Sequence, residues 1–148
     1  MNIEYRSATR ADLAGLLALY RQLNPDDPVP SPEKAEAVWT EIERTDSMCC
    51  FVACTEGRIV ASCTVAVVPN LTRGCSPYAM IENVITDVAF RRKGIGERVV
   101  GMATDFARQR GCYKVFLLSS SGRKDAHRFY ESLGFDGNSK KAFDLRLH

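Results

Sequence analysis

Residues 80–111 read MIENVITDVAFRRKGIGERVVGMATDFARQRG. Met80, Ile81, Val84, Ile85 and Val88 make the first part apolar and partly β-branched, which predicts a strand. Arg91–Gly96, R-R-K-G-I-G, interrupts it. From Glu97 the apolar residues fall at Val99, Val100, Ala103, Phe106 and Ala107, the spacing of a helix, and Gly111 closes it. A helix start leaves about four backbone N–H groups without intrahelical partners, and the macrodipole adds about half a positive charge there. Gly94 and Gly96 carry no Cβ, so an anion can reach the backbone. With Arg91, Arg92 and Lys93 alongside, the turn is built to hold a phosphate or diphosphate. Each charge-assisted hydrogen bond there contributes about 1.5–3 kcal/mol. The plainer alternative is a basic loop before an ordinary helix, because a lone G-x-G is a weak motif.

Two nucleotide-binding patterns do not fit. A P-loop needs G-x-x-x-x-G-K-[S/T], which is absent. A dinucleotide fingerprint needs G-x-G-x-x-G, and Gly94-Ile95-Gly96 is followed by Val99 where the third glycine belongs.

With 148 residues the chain is expected to form one domain, residues 1–148, large enough to bury about two-thirds of its unfolded surface. A net charge of +2 gives no general footprint for nucleic acid or membrane. No apolar run approaches the roughly 18 residues of a membrane span and no signal-peptide pattern is present, so a soluble cytoplasmic protein is the default. The six cysteines form no C-x-x-C pair, and His127 and His148 are the only histidines, so no metal site is expected. Cys54 and Cys63 sit in strand-like runs and read as small core residues.

In chain order, Ile3–Ser7 reads as a strand and Thr9–Asp12 as a capping box. A helix follows with Leu13, Leu16, Leu17 and Tyr20 on one face. Asn24–Pro32 holds four prolines and is a loop. Ser31-Pro32 starts a second helix to about Arg44, with Val38, Trp39 and Ile42 toward the core. Met48–Thr55, a Glu56-Gly57 turn and Arg58–Val68 form a hairpin, and Pro69–Pro77 is a loop. After Gly111 come a buried strand at Cys112–Leu118, a helix at Asp125–Leu133, and last strands at Phe135 and Ala142–Leu147. This order predicts an α/β fold, a mixed sheet with helices on both faces.

The turn resembles the R/Q-x-x-G-x-G/A signature of the GNAT superfamily of acyl-CoA-dependent N-acetyltransferases, and Arg91, Arg92, Lys93, Gly94, Ile95 and Gly96 fill its six positions. A second landmark, N-x-x-A-x-x-[L/F]-Y-x-x-x-G-F, is matched by Ala126, Phe129, Tyr130, Gly134 and Phe135, with Arg123 replacing the asparagine. The resemblance implies a GNAT-like, mostly antiparallel sheet with a splayed parallel strand pair. It implies acetyl-CoA (coenzyme A) as cofactor, its diphosphate on the turn through Glu97, and its pantetheine arm along Val84, Ile85 and Thr86 and near Arg123. It also implies Tyr130 as the acid that protonates the departing sulfur.

Glu82 is the candidate base, since an alkylammonium titrating near about 10 must lose its proton before attack. Strand alternation predicts Glu82, Val84 and Thr86 on one face and Ile81, Asn83 and Ile85 on the other. A salt-bridged structural role is the alternative for Glu82. Narrower resemblances run to glucosamine-6-phosphate N-acetyltransferases through I-E-N-V and to aminoalkylphosphonate N-acetyltransferases through D-A-H-R-F-Y. They imply a small amine substrate with a phosphorus oxyanion, bound by Glu82, Asn83 and Arg73, with Lys114 and Arg123 as further cations. A cofactor-binding sensor, a non-catalytic subunit and a protein N-acetyltransferase stay open. A homodimer is expected from the resembling families.

Overall fold

The computed structural model describes residues 1–148 and is built around a hairpin. Its strands are β2 (Met48–Thr55) and β3 (Arg58–Val68). Glu56 and Gly57 join them with φ of 51° and 74°, the doubly left-handed turn that matches strand twist. β1 (Glu4–Ser7) pairs antiparallel with β2, and β4 (Tyr78–Thr86) antiparallel with β3. β5 (Val115–Phe116) completes the order β1-β2-β3-β4-β5 and runs parallel to β4. The bonds at that edge are Ala79 N to Lys114 O, 3.0 Å, and Tyr113 N to Pro77 O, 2.9 Å. Both fall at the start of β4.

The chain divides into two compact units, Met1–Val115 and Phe116–His148. In the first, helices cover both sheet faces. From α1 (Leu13–Leu23) and α2 (Pro32–Arg44), Leu16, Leu19 and Trp39 pack on Cys50, Val52, Ile59 and Ile85. Ser31 caps α2, accepting a bond from Lys34 N at 3.2 Å. Between β3 and β4 the chain makes one irregular helical turn, α3 (Thr72–Cys75). The sheet face opposite α1 and α2 takes α4 (Ile95–Gln109), which buries Ile95, Val99, Val100, Ala103 and Ala107. The Cys63 thiol donates to Val99 O at 3.5 Å, and burial pushes that thiol up to about 12. Phe106 meets Phe51 edge-on at 6.0 Å. The second unit carries α5 (Lys124–Ser132).

Several sequence expectations are corrected. Val38 is 45% exposed, because the buried stripe of α2 runs through Ala35, Trp39 and Ile42 and Val38 lies about 100° off it. Cys54 is half-buried rather than core. Strand β5 is two residues long, not seven, and Val88 lies outside the sheet in a 3-10 turn, Val88–Phe90. The strands expected at Phe135 and Ala142–Leu147 are not formed. Alternation of apolar and polar residues specifies the faces of a strand, but a ladder also needs a neighbour to bond to.

Candidate active site

The site in the first unit begins on β4. Pairing with β3 is regular to Thr64–Glu82, and then shifts so that Ser62 faces Ile85. Cys63 therefore stands opposite two residues, Asn83 and Val84, and Asn83 has φ 55°. This is a β-bulge, which interrupts the ladder and re-aims side chains. It overturns the simple alternation. Cross-strand partners share a face, so Glu82 and Ile85 lie on the face of Thr64 and Ser62, while Thr86, paired with Ala61, lies on the other. Glu82 is exposed, so its carboxylate carries no burial cost.

A polar seam that sequence reading missed lies on the Ser62 face. Tyr20 OH is 3.9 Å from Cys50 Sγ, which is 3.4 Å from Ser62 Oγ. Burial pushes the Tyr20 phenol and the Cys50 thiol up, so both keep their protons.

Asp87 redirects the chain from β4 toward the turn. It is 3% exposed and accepts from Ala89 N at 2.9 Å, Gln22 Nε2 at 3.2 Å and an Arg58 guanidinium nitrogen at 2.5 Å. Burial works to raise its pKa, but these donors outweigh it and hold the carboxyl below the usual range. Asp87 was also missed. Its signal is an Asx cap in D-V-A-F, hidden by the apolar run around it.

The turn itself has Arg92 at φ 62° and Gly94 at φ 78°. Left-handed residues close together turn backbone N–H groups toward one side, forming an anion-receptive hollow. The first helical bond of α4 is Arg98 N to Gly94 O at 3.2 Å, and no side chain caps this end. The N–H groups of Ile95, Gly96 and Glu97 thus precede the ladder. A Cβ built on Gly94 meets nothing within 4 Å, so conformation rather than crowding demands glycine there. Arg91, Arg92 and Lys93 are exposed. Arg91 Nε donates to Thr86 O at 3.1 Å, tying the turn to the end of β4, and Lys93 Nζ sits 5.5 Å from the Phe90 ring centre. Three exposed cations thus stand beside an uncapped helix start, an arrangement that suits anions in general.

Arg73, left-handed at φ 56°, places its guanidinium 5.4 Å from the Tyr113 ring centre. Lys114 Nζ lies 5.5 Å from the same ring and 5.9 Å from that of Tyr78. Two cations thus gather around one aromatic ring, although Arg73 and Lys114 lie far apart along the chain, with β4 and α4 between them. Tyr113, which unites them, was not foreseen. A hollow of about 470 Å³ is lined by Ser47, Val67, Pro69, Asn70, Leu71, Cys75 and Pro77; neither Glu82 nor the glycine turn lines it.

In the second unit, Arg123 is the N-cap residue of α5 and is exposed. Its N–H bonds to Ser120 O at 3.0 Å, and His127 Nε2 lies 2.8 Å from the same carbonyl. Tyr130 is half-buried between Phe129 and Phe135, with ring centres at 5.2 and 6.0 Å. No group of three His, Cys, Asp or Glu is placed to hold a metal, and no helix is long and apolar enough to cross a membrane.

A mixed sheet flanked by helices, with a bulged strand leading to an uncapped, basic helix start, defines an acyltransferase of the α/β class. The chain belongs to the Acetyltransferase (GNAT) family, whose model matches residues 16–135. It is similar to glucosamine 6-phosphate N-acetyltransferase of Trypanosoma brucei brucei, 31% identical over 95% of this chain and 94% of that protein. It is also similar to aminoglycoside N(6')-acetyltransferase type 1 of Serratia marcescens, 29% identical over 78% of this chain and 82% of that one. Among solved structures, a chain from Agrobacterium tumefaciens str. C58, provisionally named an acetyltransferase, superposes with a TM-score of 0.91. The two are 44% identical, and the match covers 97% of this chain and 99% of that one. The protein is therefore an N-acetyltransferase of the GNAT type.

Proposed function

We propose that this protein transfers an acetyl group from acetyl-CoA to the primary amine of a small molecule bearing a phosphate or phosphonate. The observation that carries the reading is the uncapped start of α4 behind the left-handed turn, with three exposed cations beside it. Arg91, Arg92, Lys93, Gly94, Ile95, Gly96 and Glu97 would hold the diphosphate. Val84 in the bulge, with Ile85 and Thr86 after it, would offer backbone groups to the pantetheine amides, as an edge strand does for an added one. Arg123 would meet that arm from its helix start. When bound, the cofactor supplies an activated acetyl thioester.

The chain's own residues supply the rest. Glu82 takes a proton from the acceptor ammonium, directly or through water. Tyr130, a phenol protonated at neutral pH, returns a proton to the sulfur as it leaves. Asn83, held left-handed at the bulge next to Glu82 in the chain, would offer its amide as a second polar group for the acceptor. Arg73, paired with Lys114 around Tyr113, binds the oxyanion. The activity for which the glucosamine 6-phosphate relatives are named supports a phosphorylated amine. The family match runs from residue 16 to residue 135 and so includes residues of both compact units.

The test is a thiol-release assay with acetyl-CoA over amino sugar phosphates, aminophosphonates, aminoglycosides, polyamines and peptides, with calorimetry of acetyl-CoA binding alongside. Turnover of a phosphorylated or phosphonate amine, lost in Arg73→Ala, is the expected result. Turnover of only peptides or unphosphorylated amines would overturn the substrate class. Binding without any turnover would leave a sensor.

A further inference from the structure

The chain between β4 and α4 has no apolar anchor of its own. Val88–Phe90 makes one short 3-10 turn in which no residue is fully buried, and Val88 is 67% exposed. Burial fixes most segments of a domain, so a segment that buries little depends on directed polar contacts. Phe90 N bonds to Asp87 O at 2.8 Å, and Asp87 N reaches back to Val60 O at 2.8 Å. Beyond this point the chain leaves the sheet, and the exposed Arg91, Arg92, Lys93 and Gly94 follow before α4 begins.

Gln22 reaches the same point from another element. It lies on α1, one turn after the buried Leu19, so its backbone is fixed by the core although the residue itself is exposed. Both ends of its amide are used. Oε1 accepts from Val88 N at 3.0 Å, and Nε2 donates to Asp87 Oδ2 at 3.2 Å. A backbone N–H needs an acceptor and a carboxylate needs a donor, and an amide carries one of each at a fixed spacing. Arg58 approaches from β3 and donates to the same Asp87 Oδ2 at 2.5 Å. Its guanidinium lies 5.5 Å from the Phe90 ring centre, and Lys93 Nζ is also 5.5 Å from that centre. Contacts thus run from Gln22 to Asp87 and Val88, and from Phe90 to the Lys93 ammonium. A hollow of about 280 Å³ borders Gln22, Arg58 and Asp87, so this joint is held by directed bonds more than by packing. A shift of about 1 Å at such a joint is enough to spoil a directed contact downstream.

We infer that Gln22 is a positioning residue for the cofactor, a role that rests on the reading of the Arg91–Gly96 turn as the diphosphate site. By clamping Asp87 and Val88 it sets where that turn and the Lys93 ammonium meet the diphosphate of acetyl-CoA. Gln22 takes no part at the thioester, so its effect falls on the hold on the carrier and not on the chemical step.

Calorimetry of acetyl-CoA binding to the full-length protein tests the idea. Gln22→Met keeps the length and helix propensity of the side chain and removes both bonds. It should raise the Kd about tenfold. The thermal midpoint should stay within about 2 °C, because the residue is exposed. With an acceptor that turns over, KM for acetyl-CoA should rise by a similar factor and kcat should stay within about twofold. S-acetylpantetheine carries the thioester without the diphosphate, and both proteins should use it equally. A merely structural defect would lower use of both donors alike. Gln22→Glu sets carboxylate against carboxylate and should weaken acetyl-CoA binding at least as much. Adding Asp87→Asn moves the charge across the joint and should return the Kd to within about threefold of wild type. An unchanged Kd in Gln22→Met, equal losses with both donors, a fall in kcat alone, or failure of the exchanged pair to rescue would each overturn the role of Gln22 while leaving the diphosphate site standing. Wild-type protein that binds no acetyl-CoA would overturn both.

Discussion

Helices α4 and α5 carry the two landmarks by which the family is recognised, and they are held in opposite ways. Five residues of α4 are buried, and its axis is fixed by contacts with β2 and β3. No residue of α5 is fully buried; its aromatic cluster leaves Tyr130 half-exposed. The helix proposed to grip a charged carrier is thus anchored in a core, while the helix proposed to deliver a proton stands in a unit of modest burial. Aiming several N–H groups at one diphosphate requires a rigid axis. Donating one proton requires one hydroxyl, and a small helix can position it.

The comparison can be broken at several points, the largest first. Tyr130→Phe keeps the ring and removes the proton, so turnover should fall about 10²–10⁴-fold while calorimetry shows acetyl-CoA affinity within about threefold of wild type. An equal loss of affinity would move Tyr130 from acid to binding element. Glu82→Gln should cost about 10²-fold in kcat/KM at neutral pH, with unchanged thermal stability because the side chain is exposed.

Val99→Ala in α4 should destabilise by about 2 kcal/mol in denaturant titration, while Phe129→Leu in α5 should cost less than about 1 kcal/mol. Similar costs would erase the contrast between the helices. Gly94→Ala and Gly134→Ala both force alanine into left-handed backbone, φ 78° and 96°, with open space around the new methyl. Each should cost about 1 kcal/mol of stability, but only Gly94→Ala should also weaken acetyl-CoA binding.

The smallest effect concerns pH. Asp87 titrates below its unfolded value, so its contribution is complete above about pH 4, the unfolded carboxylate range, and is lost as pH falls through the lower folded value. Asp87→Asn should cost about 1–2 kcal/mol at neutral pH and flatten the acid limb of stability against pH. A parallel acid limb in the variant would mean that another carboxylate, such as Asp12 against Arg6, carries it.

Much of this was legible in the order of residues. The glycine turn, the N-cap Ser31-Pro32, the Glu56-Gly57 hairpin and the helical spacing from Val99 to Ala107 are local signals, because each is decided by backbone sterics within a few positions. They sufficed for the α/β class, for the glycine turn ahead of α4 and for the family. What tertiary structure alone decided was non-local. The bulge at Asn83 depends on how β4 registers against β3, and it moved Thr86 to the face opposite Glu82. Tyr113 joins Arg73 to Lys114 only because the end of the α3 loop meets the chain entering β5. Asp87 is buried because Gln22 and Arg58, distant in sequence, converge on it. The tail reads as a strand from its alternation, yet no strand forms at residues 142–148, because a ladder needs a neighbouring segment as well as a pattern.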